Sequence, residues 1–357
     1  MRPNERLRRP AGSQRFQLTD KYAYAERRVA LDQVGWSDGP SREQVIVTRQ
    51  HHSGHVIEIP VAVTTGARGG PTLAVMSGMH AGEYAGVLAA QRLVQQITPD
   101  VLSGRLIVVP VISTLAFMER NMQLNPVDQK EPHFQAPGNP GGSYTECLID
   151  TLFELVSGAD YLIDSHSGEM AQALYPWVPV PMIGPPELQE RSRSLAAGFD
   201  VPYIELRSNP SSVPRLCVAL AEGGVANVWV EAGKNGVPTE KDVRIHYDGY
   251  IAALHTAGML EGTPARPAQS VLSGRRYQVN SSRSGVWHPA IKEGDIVEQG
   301  QLLGILTDYF GNELERFFAP ERSLVLYYWT NPAINADRRP HGYDWHNGLV
   351  SLITLEG

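Results

Sequence analysis

Apolar residues along this chain alternate between two rhythms, short unbroken runs and stretches of helical spacing. Residues 73–76 (LAVM) form a continuous apolar run, as a strand buried on both faces requires, and Val87, Ala90, Val94 and Ile97 then recur every three or four positions. A strand, a Gly-rich turn and a helix are thus predicted over 71–97. RLIVVPVI at 105–112 predicts the next strand, which completes a βαβ unit. Ahead of it, 44–48 and 56–64 read as two strands, the second alternating as VIEIPVAVT. Beyond it the pattern predicts a helix over 144–157, strands over 161–164 and 226–230 (ANVWV), and a helix over 243–260. Residues 113–142 have no clear period, and a loop of that length in a compact domain is usually functional or disordered. After a Pro-, Gly- and Ala-rich connection at 262–269 the pattern changes to short strands and turns (RYQV, GVWHPAI, GDIVEQGQLLGIL, LVLYY), which predict an all-β unit. The expected organisation is an N-terminal extension over 1–45, a main α/β domain over 46–262 and a β-rich C-terminal domain over 263–357.

Composition narrows the partners. A formal net charge of −7 gives no electrostatic reason to bind nucleic acid or an anionic membrane. No apolar run approaches the ~18 residues of a membrane span. The Arg-rich start (Arg2, Arg6, Arg8, Arg9) leads into polar sequence rather than a signal-peptide core, so a cytoplasmic location is expected. Cys147 and Cys217, far apart, indicate neither a disulfide framework nor a thiolate metal site. Small molecules are the expected partners. The sequence is compatible with a homo-oligomer and does not fix one.

The candidate chemistry lies where the apolar strands end. The first runs into His80-Ala81-Gly82-Glu83, the second into Asp164-Ser165-His166-Ser167-Gly168, and the third into Glu231-Ala232-Gly233. Parallel strands joined by helices put all three exits on one edge of the sheet, where open α/β folds bind their ligands. His80, Glu83 and His166 then supply two imidazoles and a carboxylate, the donor set of a catalytic zinc site that keeps a fourth position for water. Glu231 is a carboxylate free to move a proton, Asp164 can orient a ligating imidazole, and hydrolysis is the expected reaction class.

On these residues the chain resembles the aspartoacylase and succinylglutamate desuccinylase family, relatives of the zinc carboxypeptidases. GMHAGEYAG at 78–86 is close to that family's G-x-H-G-D-E-x-x-G, DSHSG at 164–168 to D-x-H-S-G, and VEAG at 230–233 to v-E-x-G. The resemblance implies a three-layer α/β/α catalytic domain with a smaller β-domain shaping the cleft. It also implies one Zn2+ per chain on His80, Glu83 and His166, and Glu231 as proton carrier in cleaving the N-acyl bond of a small N-acylated substrate. A biotinyl- or lipoyl-carrier reading of GDIVEQGQLL at 294–303 fails because 303–319 contains no Lys. A carboxypeptidase-like peptidase and a non-catalytic binding protein of the same fold compete with the deacylase reading.

The chain departs from the family where relatives carry D-G-K-N-L-N-R-x-F-P-G, whose Asn and Arg clamp a substrate carboxylate. Here the run is DQKEPHFQAPG at 128–138, with His133 at the Asn position and Phe134 at the Arg position. The upstream carbonyl-polarising Arg corresponds to Gln123 by spacing, or to Arg120 with a shift. These four residues and Arg215 are the candidate substrate contacts. The expectation is a substrate without the usual carboxylate, unless Arg207 or Arg215 re-supplies the clamp. Tyr327, Tyr328, His341 and His346 are candidates to reach the cleft from the C-terminal unit.

Overall fold

The computed structural model describes residues 27–272, 274–336 and 348–355. Most of the expected N-terminal extension, with His341 and His346, lies outside them. The strands in chain order are β1 (Arg27–Ala30), β2 (Ser41–Gln50), β3 (Val56–Thr65), β4 (Arg68–Ser77), β5 (Ser103–Val109), β6 (Tyr161–His166), β7 (Gln172–Leu174), β8 (Trp177–Pro181), β9 (Tyr203–Arg207), β10 (Ala226–Glu231) and β11 (Ser270–Leu272). The helices are α1 (Tyr84–Gln96), α2 (Thr114–Glu119), α3 (Tyr144–Val156), α4 (Pro186–Ala196), α5 (Arg215–Glu222) and α6 (Glu240–Thr256).

All of these strands except β7 form one sheet, ordered β1-β2-β3-β5-β4-β6-β10-β8-β9-β11. Its centre, β5-β4-β6-β10, is parallel, while β3 meets β5 and β8 meets β10 antiparallel. Alternate residues of β4 feed two cores, as the two-residue period of a strand demands. Leu73 and Val75 pack with Ala89 and Leu93 of α1 and Tyr250 and Ala253 of α6. Ala74 and Met76 pack with Leu148 and Leu152 of α3 and Leu216 and Leu220 of α5. Helices therefore cover both faces, which is why the central strands read as unbroken apolar runs.

Several boundaries differ from the sequence pattern. The β6 and β10 ladders continue past their apolar residues, pairing Trp229 with Asp164 and Glu231 with His166. Backbone hydrogen bonding to a neighbouring strand is indifferent to side-chain polarity, so hydrophobicity marks these ends too early. WVPVP, which becomes β8, carries two prolines that mask a strand signal. The sheet also extends beyond the expected main-domain limits, taking β1 from before residue 46 and β11 from after 262.

The C-terminal region is β-rich. Its strands are β12 (Arg276–Asn280), β13 (Gly285–Pro289), β14 (Ile296–Val297), β15 (Leu302–Thr307), β16 (Glu313–Phe318), β17 (Ser323–Trp329), β18 (Ala333–Ile334) and β19 (Gly348–Thr354). They form a sheet β12-β19-β17-β14 and a sheet β16-β15-β13-β18. β7, which follows the His166 exit, pairs with β17 and ties this region to the segment after β6.

Candidate active site

Because β4, β6 and β10 are adjacent and parallel, their carboxyl ends bring His80, Glu83, His166 and Glu231 to one edge of the sheet. His80 lies in the turn after β4, and Glu83 is the N-cap residue of α1. His166 and Glu231 are the last residues of β6 and β10. The Glu83 carboxylate sits between the two imidazoles, with Oε1 2.9 Å from His80 Nδ1 and Oε2 2.9 Å from His166 Nδ1. The two Nδ1 atoms are 3.3 Å apart. Donors bound at 2.0–2.2 Å to one tetrahedral ion stand about 3.3 Å from one another. The trio therefore fits a zinc-sized cation.

The far nitrogen of each imidazole meets its own carboxylate. His80 Nε2 is hydrogen-bonded to Glu131 Oε1 at 2.8 Å. His166 Nε2 lies 3.0 Å from Asp164 Oδ2, an ion-pairing distance without hydrogen-bond alignment. Such outer carboxylates fix which ring nitrogen faces a metal. His133 approaches the same Asp164 oxygen at 3.0 Å and stacks on His166 with ring centroids 4.7 Å apart.

Glu83, Glu131, Asp164, Glu169 and Glu231 gather here, and every ion pair they make among the described residues is with an imidazole. Burial works against charge on His80, yet Glu83 and Glu131 outweigh it and lift the ring to about 10. His166 is likewise held well above its usual range, against burial, by Asp164 and Glu83. Burial would raise Glu83, but His80 and His166 bring it down to about 2. Two rings protonated at Nδ1 would repel each other at 3.3 Å, whereas neutral rings present two Nδ1 lone pairs with which a divalent cation could be held. Burial lifts Glu231 to about 8, with His166 opposing and Glu83 adding to the rise.

The expected substrate contacts are dispersed. His133 is buried against Asp164 and His166, and one ring nitrogen each from His80, His133 and His166 lie within 4.8 Å of one another, so His133 belongs to a cluster that could hold a metal ion. Phe134, beside it, is 40 % exposed. Arg120 is exposed at the C-cap of α2 in a left-handed conformation (φ 55°), and the buried Gln123 Oε1 atom has no hydrogen-bond partner among the described residues. Arg215, exposed on the first turn of α5, stands 3.6 Å from Glu222. Arg207 donates to Glu205 at 3.0 Å and to the Ser212 carbonyl at 2.7 Å, with its guanidinium 5.0 Å from the Trp229 ring centroid. The Tyr327 hydroxyl donates to Gln278 at 3.1 Å.

Two carboxylates at the centre escape a reading of the sequence. Glu131 comes from the aperiodic 113–142 loop, where only the fold reveals its partner. Glu169 directly follows the DSHSG motif, and that closeness is the one signal the sequence offers. It is fully buried, and burial together with Glu83 lifts its carboxyl to about 8, with His80, the Met170 backbone and His166 opposing the rise.

A mixed α/β sheet with imidazoles and carboxylates at its carboxyl edge is an arrangement that metal-dependent hydrolases use. The Succinylglutamate desuccinylase/Aspartoacylase catalytic domain profile matches residues 69–256, more than half of the chain, and the chain belongs to that family. It is 28% identical over 256 residues to an N-alpha-acetyl-L-2,4-diaminobutyric acid deacetylase from Halomonas elongata, a match covering 70% of this chain and 75% of the relative. Its fold is similar to that of a succinylglutamate desuccinylase/aspartoacylase from Rhodobacter sphaeroides, with TM-score 0.75 and 21% identity over 90% of this chain and 96% of that one. It is also similar to the product-bound ectoine utilization protein EutE (DoeB) from Ruegeria pomeroyi, with TM-score 0.76 and 22% identity over 89% and 95% of the two chains. Among the described residues no helix is long and apolar enough to cross a membrane.

Proposed function

We propose that this chain is a zinc-dependent amidohydrolase that cleaves the C–N bond of a small N-acylated molecule, with one zinc per chain held by His80, Glu83 and His166. The observation that carries the reading is the 2.9–3.3 Å clustering of donor atoms from three residues at two parallel strand ends, with Glu231 on the adjoining strand. When bound, zinc would lower the pKa of a water to ~7 and polarise the acyl carbonyl. Glu231 takes up the proton of the attacking water at its carboxylate and returns it to the leaving nitrogen, so that the amine departs neutral. Asp164 and Glu131 hold the imidazoles with Nδ1 turned inward. We assign the layered sheet to a zinc-carboxypeptidase-like catalytic domain built on residues 46–262 with β1 and β11 added from outside those limits, followed by a β-rich domain that shapes the cleft.

The substrate reading follows from position 134. Phe cannot pair a carboxylate, so an N-acyl amine or a less charged amide suits the site better than an N-acyl amino acid. A second reading, an N-acyl amino acid deacylase with a re-supplied clamp, is favoured by one observation, the buried Arg207 Nε that has no hydrogen-bond partner among the described residues.

Purified protein should carry about one zinc per chain and lose hydrolysis of an N-acyl amide panel on chelation, regaining it with zinc. Absence of metal uptake at micromolar zinc would sink the proposal. Glu131→Ala should weaken zinc binding by about 10–100-fold in chelator competition, because His80 loses the carboxylate that orients it. Parent-like affinity in that variant would remove the orienting role.

A further inference from the structure

Glu231 is the last residue of β10, and the sheet alone does not hold the peptide that follows it. In a parallel ladder the N–H and the C=O of one residue bond to the residues on either side of its partner. The register that pairs Glu231 with His166 therefore calls for an Ala232 N–H bond to the His166 carbonyl and a Gly168 N–H bond to the Ala232 carbonyl. The first is made at 3.1 Å. The second is displaced by one residue, because the chain turns at Gly233 (φ 108°) and Gly168 N–H donates to the Gly233 carbonyl at 2.8 Å. The Ala232 carbonyl is thereby released from the ladder at a residue that is fully buried, where an acceptor left unpaired is costly.

His246 takes up that carbonyl. It lies on α6, is 0% exposed, and its Nε2 is 2.9 Å from the Ala232 oxygen. A ring nitrogen that faces a carbonyl at this distance carries the proton, which fixes the tautomer with hydrogen on Nε2. Burial brings the ring down to about 4, against the pull of the Ala232 carbonyl, so at neutral pH it is an uncharged donor. An apolar side chain would fill the same space without the cost of burying an imidazole, and the donor is what the histidine adds. The helix is a firm base for it, since Tyr250, Ala253 and Leu254 pack in one core with Leu73 and Val75 of β4. A group that moves a proton must be held within about 0.5 Å of its productive position, and the end of a strand is where backbone restraint is weakest. We propose that His246 is a positioning residue for the hydrolysis, whose hydrogen bond to the Ala232 carbonyl fixes the peptide following Glu231 and so the direction of the Glu231 carboxylate. This rests on the reading of Glu231 as proton carrier and adds the residue that sets it in place.

The test uses the zinc-loaded full chain. His246→Gln keeps an N–H donor within reach of the carbonyl, His246→Leu and His246→Phe remove it, and Glu231→Gln is made alone and combined with His246→Leu. Steady-state kcat and KM are measured on the N-acyl amide that the parent hydrolyses fastest, with zinc content and thermal unfolding of the same preparations. Both apolar variants should lose about 10–100-fold in kcat with KM and zinc content at parent values, while His246→Gln stays within about threefold of the parent. In the Glu231→Gln background His246→Leu should change the residual rate by less than about twofold, because a residue that acts through Glu231 has nothing left to position. Parent-like kcat in the apolar variants overturns the inference, as does a loss in His246→Gln as large as in His246→Leu. A full further loss in the double variant also overturns it, since the effect then bypasses Glu231. Loss of zinc along with kcat, or failure of both apolar variants to fold, makes the role structural and overturns it too. Parent-like kcat in Glu231→Gln alone overturns the proton-carrier reading itself.

Discussion

Glu231→Gln should lower kcat by at least about 10³-fold while zinc content and thermal unfolding stay at parent values. The amide keeps the size and shape of the side chain, so packing at the end of β10 is preserved. Gln cannot accept a proton from water or deliver one to a departing nitrogen, and an amine expelled without a proton is a very poor leaving group. Glu231 lies beside the ligand trio and is not one of its members, so binding of the ion does not depend on it. His166→Ala is the contrasting variant. It removes a ligand and should lose the metal and the activity together, measured by metal analysis of the same preparation. Activity of Glu231→Gln within about tenfold of the parent would show that another group moves the proton.

Uncharged N-acyl amines should exceed matched N-acyl amino acids in kcat/KM, and Phe134→Arg should shift the ratio of the two toward the acids by about 10–100-fold. The magnitude is that of one charge-assisted hydrogen bond, about 1.5–3 kcal/mol. The basis is that neither proposed replacement is a free cation. Arg215 is exposed and faces Glu222, and Arg207 is engaged by Glu205 and the Ser212 carbonyl. A substrate carboxylate beside Phe134 would surrender hydration for an aromatic neighbour, whereas an apolar group there gains contact. Steady-state kinetics on N-acetylaspartate, N-succinylglutamate and matched uncharged amides decides the matter. Preference for the acids by the parent would favour the re-supplied clamp, and Arg207→Ala should then remove that preference.

The sequence alone determined which strands would be buried and which polar residues would stand at their ends. Those signals are local, because an apolar run followed by His, Glu or Gly is read within about ten residues, and covering helices on both faces make the run continuous. It therefore placed His80, Glu83, His166 and Glu231 at the exits of those strands, along with the change to β-rich structure after the connection near residue 265. The family motifs rest on the same short segments.

Tertiary structure decided what depends on chain segments meeting across long separations. Strand order made β4, β6 and β10 neighbours, and their register aligned Glu231 with His166. Residues 113–142 have no period to read, so only the folded loop puts Glu131 on His80 and His133 on Asp164, 51 and 31 positions apart in the chain. Position within the family motif points His133 at the substrate, but the fold stacks it on His166 and groups its ring nitrogen with those of His80 and His166. Glu169 shows the same limit most clearly, because a carboxylate next to a motif looks like any surface acid until packing against Gly82 takes away its water. Hydrophobic period is written residue by residue, while burial of a charge and the partner that compensates it are properties of the assembled chain.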